Sequence, residues 1–472
     1  MRIFVRLILI VMCSLAALSC QHEKEQPKQE QKPNIIMMIG DGMGPAFITA
    51  YRKYLDDHST PEVEAVAFDD MLVGTAKTDL RDHEHHVITD SAASATALAT
   101  GQKTYYEAIA VDLFDVPIKT TMEIAREQGY QTGVVVLSRV NHATPASFVS
   151  HNKSRNSYKD LANQYIDDQI NGKPKLDIIF GGGQKHFIRK DRNIVDEFQT
   201  LGYQSALTWD EFENINEKPA IALLANKGLP YEIDSPVKQR LSKLTEKALG
   251  LLDTEKPFYM LIEGSQIDWC GHNNDIACAM HEMADFEETL KIVKTFVDSN
   301  PNTLLVLTSD HSTGGLTVGA NYELIYDGPK IKYQWIRDFI QPVKASVKAI
   351  ARDLFHAQEA WYARWLELTG LELSESEQQA FNNIVIGYEV ANPITLDDLT
   401  DDHREQLRAA MIQINSIING RSQTGWTTGG HTGVDVNVYS TGKYSERFAG
   451  NLDNTRIGKI IRDILIEGNP SN

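Results

Sequence analysis

Nine residues of the sequence have side chains of the types that divalent cations prefer, and they are gathered in a few short segments. Carboxylate oxygens, imidazole nitrogens and a threonine hydroxyl suit zinc or magnesium in an open catalytic site, and no cysteine pair has zinc-finger spacing. The candidate ligands are Asp41, His142, Thr144, Glu263, Asp268, His272, Asp310, His311 and His431. The chemistry that these residues suggest is metal-assisted catalysis.

The spacing of the candidates favours this interpretation. Asp268 and His272 are four residues apart, so one helical turn would place both on one face. Asp310 and His311 are consecutive and could hold one ion, and His431 lies in a glycine-rich loop whose backbone can approach closely. A single aspartate after a strand is more often a helix cap or a turn former. Several such segments together are harder to explain in that way.

A serine stands at the start of a run of small residues. Ser91 opens the stretch 90–97 (DSAASATA), which predicts a helix with the serine hydroxyl at its N-terminus, where backbone N–H groups favour an anion. The alternative is an ordinary helix cap. The preceding run 83–86 (HEHH) could be another metal site, but we interpret it as a solvated loop.

Buried strands must position these residues. Short runs rich in Ile and Val, with little polar alternation, predict strands covered on both faces, and helical patterns such as 119–128 and 281–297 lie between them. The predicted strands are 34–39, 133–137, 176–180, 258–262 and 303–307. The alternation predicts an α/β fold with a large, open, mostly parallel sheet and helices on both faces. Ligand sites in such sheets lie at the carboxyl ends of the strands, where four candidate segments begin.

Length and charge limit the classes of function. The chain has 472 residues, 42% of them hydrophobic and 23% charged, which is ordinary globular usage and excludes disorder, collagen and coiled coil for the whole. The formal net charge of −18 argues against nucleic acid as a partner, because such binding depends on cations that neutralise phosphates. An anionic substrate would need bound cations to reverse the local field.

The N-terminus predicts export. Residues 1–20 combine Arg2, Arg6 and a short apolar run that ends at Cys20, and they resemble a bacterial lipoprotein signal peptide in which Cys20 is lipidated. Residues 21–33 predict a flexible tether. We expect a periplasmic, outer-membrane or cell-surface protein held to the membrane by this anchor, with plain secretion as the alternative. Cys270 and Cys278 are predicted to be free thiols.

Residues 34–472 are predicted to form one domain that carries a helical insertion at about 321–420. The segments 344–363 and 401–418 are strongly helical and interrupt the strand pattern, and the stretch 321–420 contains three tryptophans. The insertion could cover the site, form a subunit contact in a homodimer, or be a structural cap, and the sequence leaves these three alternatives open.

The motifs resemble those of the alkaline phosphatases. The stretch 89–97 resembles the nucleophile motif of that family, and 263–272 resembles its Glu-x4-Asp-x3-His metal motif. Ser309-Asp310-His311, 429–432 and Asp41 match three further motifs, so the resemblance extends over nearly the whole mature chain. It implies an alkaline-phosphatase-like fold and an enzyme that hydrolyses small phosphate monoesters through a phosphoserine, with two Zn²⁺ and one Mg²⁺.

The resemblance also implies a role for each residue. Ser91 would be the nucleophile and Arg155, eleven positions after Thr144, would bind the phosphate. His142 stands where the best-studied bacterial members have aspartate, which leaves the identity of the third ion open. The first zinc would be held by Asp268, His272 and His431, the second by Asp41, Asp310 and His311, and the magnesium by Asp41, Thr144 and Glu263.

Two other functions are weighed against this one. A phosphodiesterase or sulfatase could use the same scaffold, but sulfatases need Cys/Ser-x-Pro-x-Arg where Ser91 is followed by Ala-Ala-Ser, and a diesterase would more often have a threonine nucleophile. A non-catalytic envelope lipoprotein that binds metal or phosphate would need neither Ser91 nor Arg155.

Overall fold

The computed structural model describes residues 31–57, 59–82, 87–320, 334–386 and 401–467. The predicted signal peptide with Cys20, the tether up to residue 30, the run 83–86 and parts of the predicted insertion lie outside these residues. No helix among the described residues is long and apolar enough to cross a membrane.

A ten-stranded sheet forms the centre of the protein, and its strand order is β10-β2-β9-β8-β1-β7-β3-β4-β6-β5. Within this sheet β9 is antiparallel to both of its neighbours, and the other strands run parallel to one another. The strands are β1 (Asn34–Gly40), β2 (Leu72–Lys77), β3 (Gln131–Arg139), β4 (Ile178–Gly182), β5 (Gln204–Ala206), β6 (Ala220–Leu223), β7 (Phe258–Gly264), β8 (Thr303–Thr308), β9 (Val436–Gly442) and β10 (Gly450–Asp453).

Helices cover both faces of the sheet, as the sequence predicts. The α-helices are Pro45–Leu55, Ser91–Thr100, Thr121–Glu127, Ala143–Val149, Tyr158–Asp167, Gln184–Phe187, Ile194–Thr200, Trp209–Glu213, Arg240–Gly250, Gln266–His272, Ile276–Ser299, Val347–Ala357, Trp361–Thr369, Glu375–Val385, Asp401–Ser422 and Asn454–Glu467. Short 3₁₀ helices occupy Asp69–Met71, Arg337–Phe339, Gln358–Ala360 and Ser445–Phe448. Two-residue ribbons pair Gln169–Ile170 with Lys173–Pro174, Ser312–Thr313 with His431–Thr432, and Thr317–Val318 with Thr424–Gly425.

The side chains of β1 are buried on both faces of the sheet. Ile36 and Met38 belong to a hydrophobic core on one side of the sheet, and Ile35, Met37 and Ile39 belong to a second core on the other side. Successive side chains of a strand point to opposite faces, so a strand between two helical layers must be apolar at every position. The predicted α/β fold class is therefore confirmed.

The register of the central strands brings distant segments together. Ile39 of β1 pairs with Glu263 of β7 on one side and with Thr308 of β8 on the other. Val136 of β3 also pairs with Glu263. The residues that follow these four parallel strands therefore lie together at the carboxyl ends of the strands.

Helices of the predicted insertion pack against the hydrophobic core on one face of the sheet. Trp365, on Trp361–Thr369, is fully buried, and its indole nitrogen donates to the carbonyl of Leu371. Ser346 caps Val347–Ala357 by accepting from the backbone N–H of Ala349 at 3.2 Å. This described part of the insertion joins the same hydrophobic core as the helices of one sheet face.

The prediction that Cys270 and Cys278 are free thiols is wrong. Their sulfurs are bonded to each other, and their Cα atoms are 5.6 Å apart. Gln266–His272 ends two residues after Cys270, and Ile276–Ser299 begins after a short turn, so the chain folds back and brings the two cysteines within disulfide reach.

Candidate metal and phosphate site

Three side chains form a first cluster, which we call the outer cluster: Asp268, His272 and His431. The Nε2 atoms of the two histidines are 3.2 Å apart, and they lie 3.3 Å (His272) and 3.6 Å (His431) from oxygens of Asp268. Two ligand atoms of a tetrahedral zinc with bonds of about 2.0–2.1 Å would lie about 3.3 Å apart. The predicted ligands of the first zinc therefore have the spacing that this ion requires.

Backbone carbonyls set the tautomer of both histidines in the outer cluster. Nδ1 of His272 lies 2.7 Å from the carbonyl oxygen of Gly429, and Nδ1 of His431 lies 2.9 Å from that of Thr89. A carbonyl only accepts, so in each ring Nδ1 must donate and the neutral ring keeps its lone pair on Nε2. Both lone pairs point towards Asp268. His431 reaches this place because Thr313 pairs with it in a short ribbon.

Asp41, Asp310 and His311 form a second cluster, which we call the inner cluster because all three are fully buried. Nε2 of His311 lies 3.2 Å from Oδ2 of Asp310 and 3.6 Å from Oδ1 of Asp41. Oδ1 of Asp310 accepts from the backbone N–H groups of Gly42 and His311. Both oxygens of Asp41 and Oδ2 of Asp310 are buried without a hydrogen-bond partner. Unsatisfied buried carboxylate oxygens of this kind fit a cation.

The loop after β1 approaches the outer cluster very closely. Gly42 has a φ of +70°, and a Cβ on it would lie 2.7 Å from Cα of Asp268. A side chain at this position would be strained and would collide with the helix that carries Asp268. The glycine therefore allows the inner and outer clusters to lie side by side.

A third group consists of Asp41, His142 and Glu263, whose ligand atoms lie within 4.8 Å of one another. Oε1 of Glu263, Nδ1 of His142 and the hydroxyl of Thr144 are buried without a hydrogen-bond partner. Oε2 of Glu263 accepts from the hydroxyl of Ser265 at 2.6 Å. The predicted third-ion residues are therefore together, and Asp41 is shared with the inner cluster.

Ser91 stands beside the inner cluster. Its Oγ lies 3.2 Å from Nε2 of His311, and the residue is 2% exposed at the first position of helix Ser91–Thr100. Asp90 caps this helix by accepting from the backbone N–H groups of Ala92 and Ala93. The N-terminal end of the helix therefore surrounds the hydroxyl with positive electrostatic potential.

Arg155 reaches the same place from a different segment. One of its terminal nitrogens donates to Oδ2 of Asp90 at 2.9 Å, and the other lies 3.3 Å from Nε2 of His142. Asp90 therefore both caps the helix of Ser91 and holds the guanidinium near it. Sequence reasoning missed this role, although Asp90 directly precedes the predicted nucleophile.

Thr313 was also missed. Its hydroxyl donates to Oδ1 of Asp268 and lies 3.3 Å from Nδ1 of His311, so it links the outer and inner clusters. Its position within the segment 309–315 was visible in the sequence, but a threonine there carries no signal of this contact. The structure thus brings together all predicted site residues except Cys20, which lies outside the described residues.

Burial opposes charge in the inner cluster. Burial, reinforced by the charges of Asp310, Asp268 and Glu263, raises the pKa of Asp41 well above its ordinary value. Burial and the nearby charge of Asp268 raise the pKa of Asp310 to about 6. Burial also lowers the pKa of His311, which favours the neutral ring with a free lone pair.

The outer cluster shows the opposite balance. Burial raises the pKa of Asp268, but the hydrogen bond and charge of His272, together with the other histidines, outweigh it and hold that pKa well below its usual range. For His272, burial lowers the pKa, and the contact with Asp268 outweighs it and raises the pKa to about 9. These two side chains neutralise each other.

The open α/β fold, with three groups of metal-type ligands around one buried serine, indicates a metal-dependent hydrolase. The metal ligands and the serine lie at the carboxyl ends of parallel strands or next to them, where enzymes of this architecture bind their substrates.

Comparison with known proteins identifies the family. The alkaline phosphatase profile matches residues 32–466. Alkaline phosphatase 3 of Bacillus subtilis is 40% identical over 441 residues, which cover 93% of this chain and 90% of that protein. The repressible alkaline phosphatase of Saccharomyces cerevisiae is 30% identical over 478 residues, 92% of this chain and 81% of that protein. The chain belongs to the alkaline phosphatase family, and this relationship supports a phosphomonoesterase.

A solved structure supports the same assignment. The crystal structure of a cold-active alkaline phosphatase from a psychrophilic Shewanella species is similar with a TM-score of 0.79 and 39% sequence identity. The match covers 92% of this chain and 99% of that chain.

Proposed function

We propose that this protein hydrolyses phosphate monoesters through a phosphoserine at Ser91, with two zinc ions and one magnesium ion as cofactors. The observation that carries the proposal is the position of the Ser91 hydroxyl, 3.2 Å from His311 Nε2 and at the N-terminus of a helix. Such a position offers a nucleophile to an anionic phosphoryl group.

The predicted ligand sets fit these ions. Asp268, His272 and His431 would hold the first zinc, and Asp41, Asp310 and His311 the second. Asp41, Thr144 and Glu263 would hold the magnesium, with His142 beside them. When bound, the metals supply Lewis-acid stabilisation of the oxygens that attack and leave the phosphorus.

The protein's own residues perform the displacement. Ser91 Oγ gives up its proton and forms a bond to phosphorus, while the ester oxygen leaves with the electron pair of the broken P–O bond and takes up a proton as the alcohol. Water then attacks the phosphoserine, breaks the bond between Oγ and phosphorus, and releases inorganic phosphate and the serine hydroxyl. The guanidinium of Arg155 can bind two phosphoryl oxygens in both steps, while Asp90 holds it in place.

The experiment that tests this proposal compares Ser91→Ala with Ser416→Ala, a matched change on the exposed side of Asp401–Ser422. Ser91→Ala should lower turnover of an aryl phosphate by a factor on the order of 10⁴ and abolish phosphoenzyme formation, while zinc content stays unchanged. The control should behave as wild type. Turnover near wild type in Ser91→Ala would exclude the nucleophile assignment.

Metal and substrate choice complete the test. A chelator should silence the enzyme, and zinc with or without magnesium should restore it; restoration by manganese alone would contradict the proposed ions. Faster turnover of the matching aryl diester or aryl sulfate than of the monoester would favour the second candidate functions. Metal content without any turnover would favour a binding protein.

We also propose that the protein is exported and held to the bacterial envelope by a lipid on Cys20. The support is the arrangement of Arg2, Arg6 and the apolar run before Cys20 in the sequence. Labelled fatty acid should be incorporated by the full chain and not by Cys20→Ser; equal labelling of both would contradict the anchor.

A further inference from the structure

A cavity of about 490 Å³ lies between the site and the predicted insertion. Trp269, on the helix of the outer cluster, forms one wall, and Lys348 and Arg352, on Val347–Ala357, form another. Arg139, at the end of β3, and Lys227, in the segment after β6, also line it. We call it the basic cavity. Its size lies within the range of small-molecule binding sites.

The charge of the basic cavity is opposite to that of the chain. Arg139, Lys227, Lys348 and Arg352 line it, while Asp234 is the carboxylate among its described lining residues. Asp234 already accepts from the backbone N–H of Ser346 at 2.8 Å and from its hydroxyl at 2.7 Å. Four cations are therefore gathered in one concave place on a protein whose net charge is −18.

These cations repel one another, and a bound anion would reduce that repulsion. Burial lowers the pKa of Lys348, and the charges of Arg352 and Lys227 lower it further. The guanidinium of Arg139 lies over the ring of Tyr158 at 4.3 Å, and its Nε is buried without a hydrogen-bond partner. Cations that lie close together, two of them partly removed from water as Lys348 and Arg139 are, favour binding of phosphate oxygens.

The basic cavity adjoins the phosphate-binding residues. The backbone N–H of His142 donates to the carbonyl oxygen of Arg139 at 2.8 Å, and the ring of His142 lies 6.0 Å from that of Trp269 in an edge-on contact. His142 in turn contacts Arg155. Arg139 and Trp269 therefore belong both to the basic cavity and to the surroundings of Arg155 and the outer cluster.

We propose that the basic cavity binds a second phosphate group, carried on the leaving alcohol of the substrate. The preferred substrates are then small bisphosphorylated alcohols, one phosphate at Ser91 and the other among Lys348, Arg352, Lys227 and Arg139. This inference rests on the proposed function and deepens it by naming a substrate class. Hydrogen bonds to charged groups of this kind are strong enough to change affinity tenfold or more.

The test uses alkanediol bisphosphates with two to six carbons and the matching hydroxyalkyl monophosphates. After halving the bisphosphate value for its two equivalent ends, kcat/KM should be at least about tenfold higher for the bisphosphate at one preferred length. This preference should weaken with added salt, because it depends on charge. Ratios near one at every length would overturn the inference, whereas turnover of neither substrate would overturn the proposed function itself.

Variants assign the preference to the basic cavity. The double change Lys348→Ala/Arg352→Ala should lower kcat/KM for the bisphosphate at least tenfold more than for the monophosphate. Lys344→Ala removes an exposed cation from the same part of the chain but outside the cavity lining, and should preserve the ratio. A bisphosphate preference that survives the double change would place the second phosphate elsewhere and overturn the assignment.

Discussion

The outer and inner clusters contain the same types of ligand side chain, but their charges are balanced differently. Asp268 and His272 form a self-neutralising pair, and the His272 side chain is 38% exposed. Asp41 and Asp310 are fully buried carboxylates that leave three oxygens unsatisfied. From this comparison we expect the inner cluster to need a cation far more than the outer one does, whereas the outer cluster is the more exposed of the two.

The largest expected difference concerns loss of one ligand from each cluster. Asp41→Asn should lower kcat/KM more than about 100-fold and remove metal from two positions, because Asp41 belongs to two ligand groups. His272→Gln should cost about 10- to 100-fold and recover with added zinc, since this residue lies at the exposed side. Kinetics with metal analysis measure both. Equal losses without zinc recovery would contradict the proposed difference between the clusters.

An intermediate effect is expected on the stability of the metal-free protein. Asp310, with its pKa raised to about 6, stabilises the fold below its unfolded pKa of about 3.9, and that contribution is lost as pH rises through about 6. His272, with its pKa raised to about 9, loses its contribution between about pH 6.5 and 9. The difference in urea-unfolding free energy between chelator-treated wild type and a variant that lacks the group should therefore fall as pH rises through the window of that group.

Variants separate the two windows. The stability advantage of wild type over Asp310→Asn should fall through the lower window, and its advantage over His272→Gln should fall through the higher window, each without a change in the other window. A wild-type-minus-variant difference in unfolding free energy that rises with pH in its window would show that the two clusters do not differ in the way described.

The smallest effect is expected from the disulfide beside the outer cluster. Cys270→Ala/Cys278→Ala should destabilise the protein by about 2 to 3 kcal/mol through the lost cross-link. Zinc release from the outer cluster should become a few times faster, because Cys270 lies on the same helix as Asp268 and His272. Metal at the inner cluster should be unaffected. Wild type treated with reductant provides a matched comparison. Metal that leaves the inner cluster before it leaves the outer cluster would contradict the expectation.

The sequence predicted the sheet and indicated the candidate ligands because both show local patterns. Positions 35–39 of the predicted strand 34–39 form a continuous apolar run, and Asp268 and His272 have helical spacing, so each could be recognised without knowing the fold. The role of Asp90 could not, because it depends on Arg155, which is distant in sequence. The basic cavity is a similar case: Arg139, Lys227 and Lys348 become neighbours only through tertiary packing, and no spacing rule relates them.

Disulfide pairing was missed for the same reason. A spacing of eight residues between two cysteines does not by itself indicate a disulfide. The turn between Gln266–His272 and Ile276–Ser299 determines whether the two sulfurs come within bonding distance. Loops and turns between elements are the least predictable part of a chain, because their geometry follows from the packing of the elements that they connect.

The strand register of β1 has a consequence for how the protein matures. β1 is held between β7 and β8, whose partner residues are more than 200 positions further along the chain. His431 arrives later still during synthesis. Pairings of such long range form slowly, so the outer cluster is the last of the three ligand groups to be completed. Assembly of the outer cluster therefore requires nearly the whole described chain, whereas the residues of the inner cluster are all present once His311 has been made.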